Sequence, residues 1–356
     1  MKDKSSDEKG HEISAFLDGR RKVGQANIID TSNSEHVDRA EHDYDSILRV
    51  LTYMTTEAQR QDALVRAAFE GEELIVETLL KLGTDKDCQG MVSLNGGESK
   101  VCFTPLSAAA QEGHTRVVEV LLASSADPER VITYEGGQQG PTPLMFAAKF
   151  NRMACIKSLL RAGANVNAHN GSGFFPLRYA TIALRHECVQ LLLRNGASTH
   201  VRTDLGTTPL HWVLGSFIPG SLWCDYGILE QSKDVKMQNG EHCLRLLLSF
   251  GADKDAKDKR GDTPLIFAVR GNQPNFVQIL ADEGCDPDLA NNEGVTPLMH
   301  ATSHNQLEII KILINAYPEK TLVDKEGKTV RQLEGERGNK NVEVLLTASD
   351  ENEERL

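Results

Sequence analysis

Several things are scarce in this sequence, and each scarcity removes a class of function. Aromatic residues make up only 5% of the 356 positions. Basic residues (39) are outnumbered by acidic ones (51), which leaves a formal charge of −12. A chain of that sign repels phosphate backbones, so the electrostatic footprint of a nucleic-acid binder is missing. No run approaches the roughly 18 apolar residues of a membrane span, and the opening MKDKSSDEKG has no apolar signal-peptide core. The seven cysteines form no CxxC pair, the usual minimum for a zinc or dithiol site. No GK[ST] follows Gly96-Gly97 or Gly136-Gly137, so no phosphate cradle is visible. His186-Glu187 opens like HExxH, but Gln190 stands where the second histidine belongs. No Ser, His and acid set stands out from scattered surface residues. The expectation is a chain that is not an enzyme, uses no cofactor or metal, and takes no small-molecule substrate. It also inserts into no membrane. Reduced thiols fit an intracellular setting, cytoplasmic or nuclear.

What is present is a repeat. Apolar residues reach 40%, enough to bury a core. Thr-Pro-Leu recurs at Thr104, Thr142, Thr208, Thr263 and Thr296, and Phe175-Pro176-Leu177 takes the same place. Weaker copies stand at Asp62-Ala63-Leu64 and Thr329-Val330. The step is 33 from Thr142 to Phe175, Phe175 to Thr208, Thr263 to Thr296 and Thr296 to Thr329. The remaining steps are longer by 9, 5 and 22 residues, which marks three insertions.

Each landmark of the unit has a physical reason. The threonine is placed to cap a helix N-terminus, and proline follows at the first helical position, where a missing N–H costs nothing. Two residues before it stands Gly140, Gly173, Gly206, Gly261, Gly294 or Gly327, suited to a turn that needs positive φ. Five residues after it comes a small side chain, such as Ala147, Ala180 or Ala268, which lets neighbouring helices approach closely. Nine residues after it stand Gly71, Gly113, Asn151, Asn272 and Asn305, residue types that tolerate a left-handed link. Leu184 breaks that rule in its copy. A second apolar helix follows, ended by Gly83, Gly163, Gly196, Gly251 or Gly284, with Ser125 and Tyr317 as exceptions.

The unit is a glycine turn, a short helix, a tight link and a second helix. It resembles the ankyrin repeat, and TPLxxA…GHxxVVxxLL in the copy at Thr104 is close to that family's pattern. The resemblance covers roughly residues 62–346. It implies an all-α solenoid of stacked helix-turn-helix units joined by turn or β-hairpin loops. Copies start near 62, 104, 142, 175, 208, 263 and 296, with a degenerate cap from 329. Residues 1–43 are polar and mixed in charge, which predicts disorder. Ile47, Leu48, Leu51 and Met54 keep helical spacing and predict an N-terminal cap helix over 44–61. Residues 347–356 form a short acidic tail.

With the repeat in register, most chemistry-bearing residues become packing. Cys155, Cys188 and Cys243 share one position of the second helix, and Cys285 takes the place of Ala164 and Ala252. All four read as small core hydrophobes. Cys88, Cys102 and Cys224 fall in inserted loops.

Function therefore rests with the surface. The resemblance implies a non-catalytic adaptor or scaffold that binds other proteins on a concave face. The alternative within that class is a substrate-recruiting or inhibitory subunit of a larger enzyme complex, such as a ubiquitin ligase or kinase. Contact positions in ankyrin arrays lie on the turn tips and the exposed face of the first helix. Here those positions hold Phe103, Glu112, Lys149, Phe150, Phe174, Ile182 and Leu205, followed by Lys259, Arg260 and Arg270. Phe103, Phe150, Phe174, Ile182 and Leu205 read as an apolar stripe, and the three cations as a basic patch beside it. The 22-residue insertion, within about Ser216–Gly240, carries Phe217, Ile218 and Trp223 and then turns polar from Gln231, which predicts docking by its first half and flexibility in its second. Asn167, in LLRAGANVNA, resembles the asparagine that ankyrin repeats present to hydroxylases.

Overall fold

A computed structural model describes residues 56–94, 99–133, 137, 139–219 and 232–317. The predicted disordered segment, residues 44–55 of the predicted cap helix, Trp223, the degenerate cap and the acidic tail lie outside the described residues. The chain divides into two compact units, Met1–Pro105 and Leu106–Leu356.

In the first unit, helix α1 (Glu57–Glu70) is followed by α2 (Glu73–Lys81) and a hairpin of β1 (Gly90–Leu94) and β2 (Ser99–Phe103). Thr56 begins α1 with a capping box: its hydroxyl accepts from Gln59 N–H, and the Gln59 side chain accepts from Thr56 N–H, each at 3.3 Å. One helix thus runs through position 61, where the spacing predicted a break between a cap helix and the first copy. The strands are antiparallel, with Gly90 opposite Phe103 and Val92 opposite Val101. They are built from the 9-residue insertion, and β1 lies directly on α1. A Cβ at Gly90 would sit 3.0 Å from Asp62 Oδ1 and from Val65 Cγ2, so only glycine allows the approach.

The second unit is a succession of helix pairs. They are α3 (Pro105–Glu112) with α4 (Thr115–Ala123), α5 (Pro143–Lys149) with α6 (Met153–Arg161), and α7 (Pro176–Ile182) with α8 (His186–Arg194). Next come α9 (Pro209–Gly215) with α10 (Lys233–Ser249), α11 (Pro264–Arg270) with α12 (Pro274–Asp282), and α13 (Pro297–Ser303) with α14 (Leu307–Ala316). First helices pack on first helices (α5 on α7, α7 on α9, α9 on α11, α11 on α13), and second helices pack on second helices. Helices of seven residues do not stand alone in water, so stacking holds them. The seam is lined by Ala147, Ala180, Val213, Ala268 and Ala301, all buried.

Local signals fall where the repeat places them. Thr142, Thr263 and Thr296 accept from the amides of Met145, Ile266 and Met299, each at 3.3 Å. Asn151, Asn272 and Asn305 take φ of 57°, 50° and 54°, and Leu184 takes 53°. Gly140 departs from expectation. It is not among the positive-φ glycines of the described residues; its N–H closes the turn on Ile132 O at 2.8 Å, and Gly137 carries the positive φ instead.

The 22-residue insertion also departs from expectation. Its polar second half is helical: Ser232 caps Val235 N–H, and α10 runs for 17 residues. Lys236 donates to Ser216 O at 3.0 Å, and Phe217 meets Phe276 edge-on at 4.7 Å.

Candidate protein-binding surface

Adjacent turn tips are tied by backbone hydrogen bonds. Gly171 N–H donates to Gln139 O (3.0 Å), Lys259 N–H to Leu205 O (2.9 Å) and Asn292 N–H to Arg260 O (2.9 Å). Each tip is shaped from within by one polar side chain. Asn170 Oδ1 accepts from Ser172 and Phe174 N–H, Asp258 Oδ1 from Arg260 and Asp262 N–H, and Asn291 Oδ1 from Glu293 and Val295 N–H.

Buried polar groups lock neighbouring copies together. His211 is buried and bridges two of them: Nε2 donates to Asp262 O at 3.0 Å, and Nδ1 accepts from Thr208 N–H at 3.1 Å. Those bonds fix the neutral tautomer, and burial lowers its pKa. Asp262 is itself buried, its Oδ2 paired with Arg270 Nη1 at 2.7 Å and its Oδ1 accepting from Asn291 Nδ2 at 2.9 Å. Arg178 replaces histidine in its copy, with its guanidinium 3.7 Å over the Phe174 ring and 5.7 Å from Trp212. The pattern could have shown the Asp262–Arg270 pair, because an acid one residue before the threonine and a base seven after it occur in one copy. The roles of His211 and Arg178 depend on which neighbour each meets, which spacing does not encode.

Against this frame the predicted contact residues separate. Phe103 is 1% exposed, its ring 5.8 Å from Phe69, because the inserted hairpin folds it inward. Ile182 is 4% exposed beneath α9, where Ser216 Oγ donates to its carbonyl. Neither presents a surface, which corrects the expected stripe. Phe174 is half-buried between Arg178 and Tyr179. The Arg270 charge is balanced by Asp262 rather than open to a partner. Glu112 is half-buried and accepts from Gln111 Nε2 at 3.0 Å. Five residues remain open: Lys149, Phe150, Leu205, Lys259 and Arg260. Phe150 is 38% and Leu205 64% exposed, and Lys149 Nζ lies 5.4 Å over the Phe150 ring.

Asn167 has an internal partner set. Its Oδ1 accepts from Ser198 N–H at 2.8 Å and its Nδ2 donates to Gly196 O at 3.0 Å, both in the next copy. Glu129 and Asp255 grip Asn165 N–H and Asp286 N–H from the same place in their copies. The sequence offered a signal for these clamps, a polar residue four after each helix-ending glycine or Ser125.

The six cysteines among the described residues are unbridged. Burial pushes Cys88 and Cys188 up to about 12 and Cys285 to about 11, so at neutral pH they are protonated and weak nucleophiles. Among the described residues no group of three or more His, Cys, Asp or Glu is placed to hold a metal ion. No described helix is long and apolar enough to cross a membrane.

The family model "Ankyrin repeats (3 copies)" matches residues 64–170, 144–218 and 234–324, well over half of the chain. The chain is an ankyrin-repeat protein. Its ankyrin segment is similar to the ankyrin repeat and KH domain-containing protein mask of Drosophila melanogaster, at 29% identity over 175 residues. That alignment takes in 46% of this chain and 4% of that much longer relative. Among solved structures, the ankyrin repeat domain of Bcl-3, described as a unique member of the IkappaB protein family, superposes with a TM-score of 0.54 at 25% identity. It covers 70% of this chain and 97% of the Bcl-3 chain. Ankyrin repeats are generally protein–protein interaction modules, and typically non-catalytic ones.

Proposed function

We propose that this ankyrin chain is a non-catalytic adaptor or scaffold that binds partner proteins on the face formed by its first helices and turn tips. The observation that carries the reading is the exposure of Phe150 and Leu205 at positions where the repeat presents side chains to partners. Large apolar groups held in water favour being covered. Three pairs of adjacent tips, including the one that carries Leu205 and Lys259, are tied through their backbones, which preorganises that part of the surface and reduces the entropy lost on docking.

The test is a capture experiment on the full chain. Replacing Phe150 and Leu205 together by Ser should lower recovery of co-purifying proteins by about tenfold. The thermal midpoint should fall by no more than a few degrees, since Leu205 is largely and Phe150 partly in water. Unchanged recovery, or a midpoint lower by many degrees, would overturn the assignment.

A further inference from the structure

Leu205 is the most exposed large apolar side chain of the described residues. It stands on a turn tip bonded to the next tip by Lys259 N–H, which donates to Leu205 O at 2.9 Å. The backbones approach so closely that a Cβ on Gly206 would sit 3.0 Å from Lys259 N. Lys259 and Arg260, both exposed, are therefore immediate neighbours of Leu205. Neither forms an ion pair among the described residues. The acids nearest in sequence are held inward: Asp258 accepts two backbone amides, and Asp262 is paired with Arg270. Two open cations beside an open leucine run against the bias of a chain with charge −12. Asp204 and Glu293 flank them on the adjoining tips and would repel acids placed out of register.

We infer that the tips carrying Leu205, Lys259 and Arg260 bind an acidic segment of a partner protein, in which a bulky apolar residue covers Leu205 and adjacent Asp or Glu side chains face the two cations. Charge complementarity selects this occupant: the cations attract carboxylates and reject basic segments, and the leucine adds an apolar anchor. The inference rests on the protein-binding reading and sharpens it to one partner chemistry.

The test is selection of a displayed random-peptide library on the full chain and on its K259E/R260E variant. Peptides selected on the wild type should carry Asp or Glu beside Leu, Ile, Phe or Met. They should bind the charge-reversed variant about tenfold more weakly, and their affinity should fall with added salt. The variant should select Lys or Arg in place of the acids. Peptides without acidic enrichment that Leu205→Ser still abolishes would overturn this inference and leave the broader reading standing. Peptides indifferent to both variants would overturn both. A tenfold gain in affinity when Asp350, Glu351, Glu353 and Glu354 are changed to Asn or Gln would show the chain's own tail as occupant, which also overturns the external partner.

Discussion

Ser125 and Leu184 hold left-handed backbone, at φ of 62° and 53°, where other copies place glycine or asparagine. For a side chain with a Cβ that conformation costs about 1 kcal/mol. Their surroundings then decide opposite outcomes. Ser125 is exposed and loses little if its side chain is removed, so Ser125→Gly should stabilise by about 0.5–1 kcal/mol. Leu184 is fully buried, and the loss of its side chain is worth roughly 2–5 kcal/mol, which exceeds the relief of strain. Leu184→Gly should therefore destabilise by a few kcal/mol. Chemical denaturation of the two variants checks both signs; a stabilised Leu184→Gly would mean that burial at this link contributes less than backbone strain. The left-handed link was legible as a position, because the repeat numbering placed Leu184 at it. Its burial was not, since that depends on the neighbouring copies.

At the scale of elements, α10 shows why a pattern can be misread. Residues 231–240 carry only two large apolar residues, Val235 and Met237, and no sustained apolar period, so they read as mobile. Their packing runs through a residue with no side chain. A Cβ at Gly240 would lie 2.6 Å from Phe217 Cζ and 2.9 Å from Phe276 Cζ. Hydrophobic periodicity cannot register a contact made by a missing group. Gly240→Ala gains about 1 kcal/mol of helix propensity but forces the buried Phe276 ring and the half-buried Phe217 ring apart, an overpacking cost of about 1–3 kcal/mol. The net effect should be destabilising, seen as a lower thermal midpoint, whereas a rise would show that Phe217 moves freely. The same limit explains the predicted stripe. Phe103 and Ile182 occupy correct positions in the repeat, but the hairpin turns the first inward onto Phe69 of α1 and α9 covers the second. Repeat spacing assigns a position; its exposure follows from what the adjacent element brings.

For the molecule as a whole, the period of 33 and the recurring Thr-Pro-Leu made the ankyrin architecture readable in the sequence, because each landmark solves a local problem of the backbone. The proposed binding face was readable only as a set of positions, of which five are solvent-exposed in the structure. The second helices offer a rival surface, a groove between α12 and α14 lined in part by Gln278, Glu308 and Lys311. Site-directed photocrosslinking in cells decides between the two faces. A photoreactive residue at Phe150, Leu205 or Lys259 should give adducts with the same partner protein, while one at Lys157 or Lys311 on the second helices should give none. Adducts confined to Lys157 and Lys311 would contradict the proposed binding face.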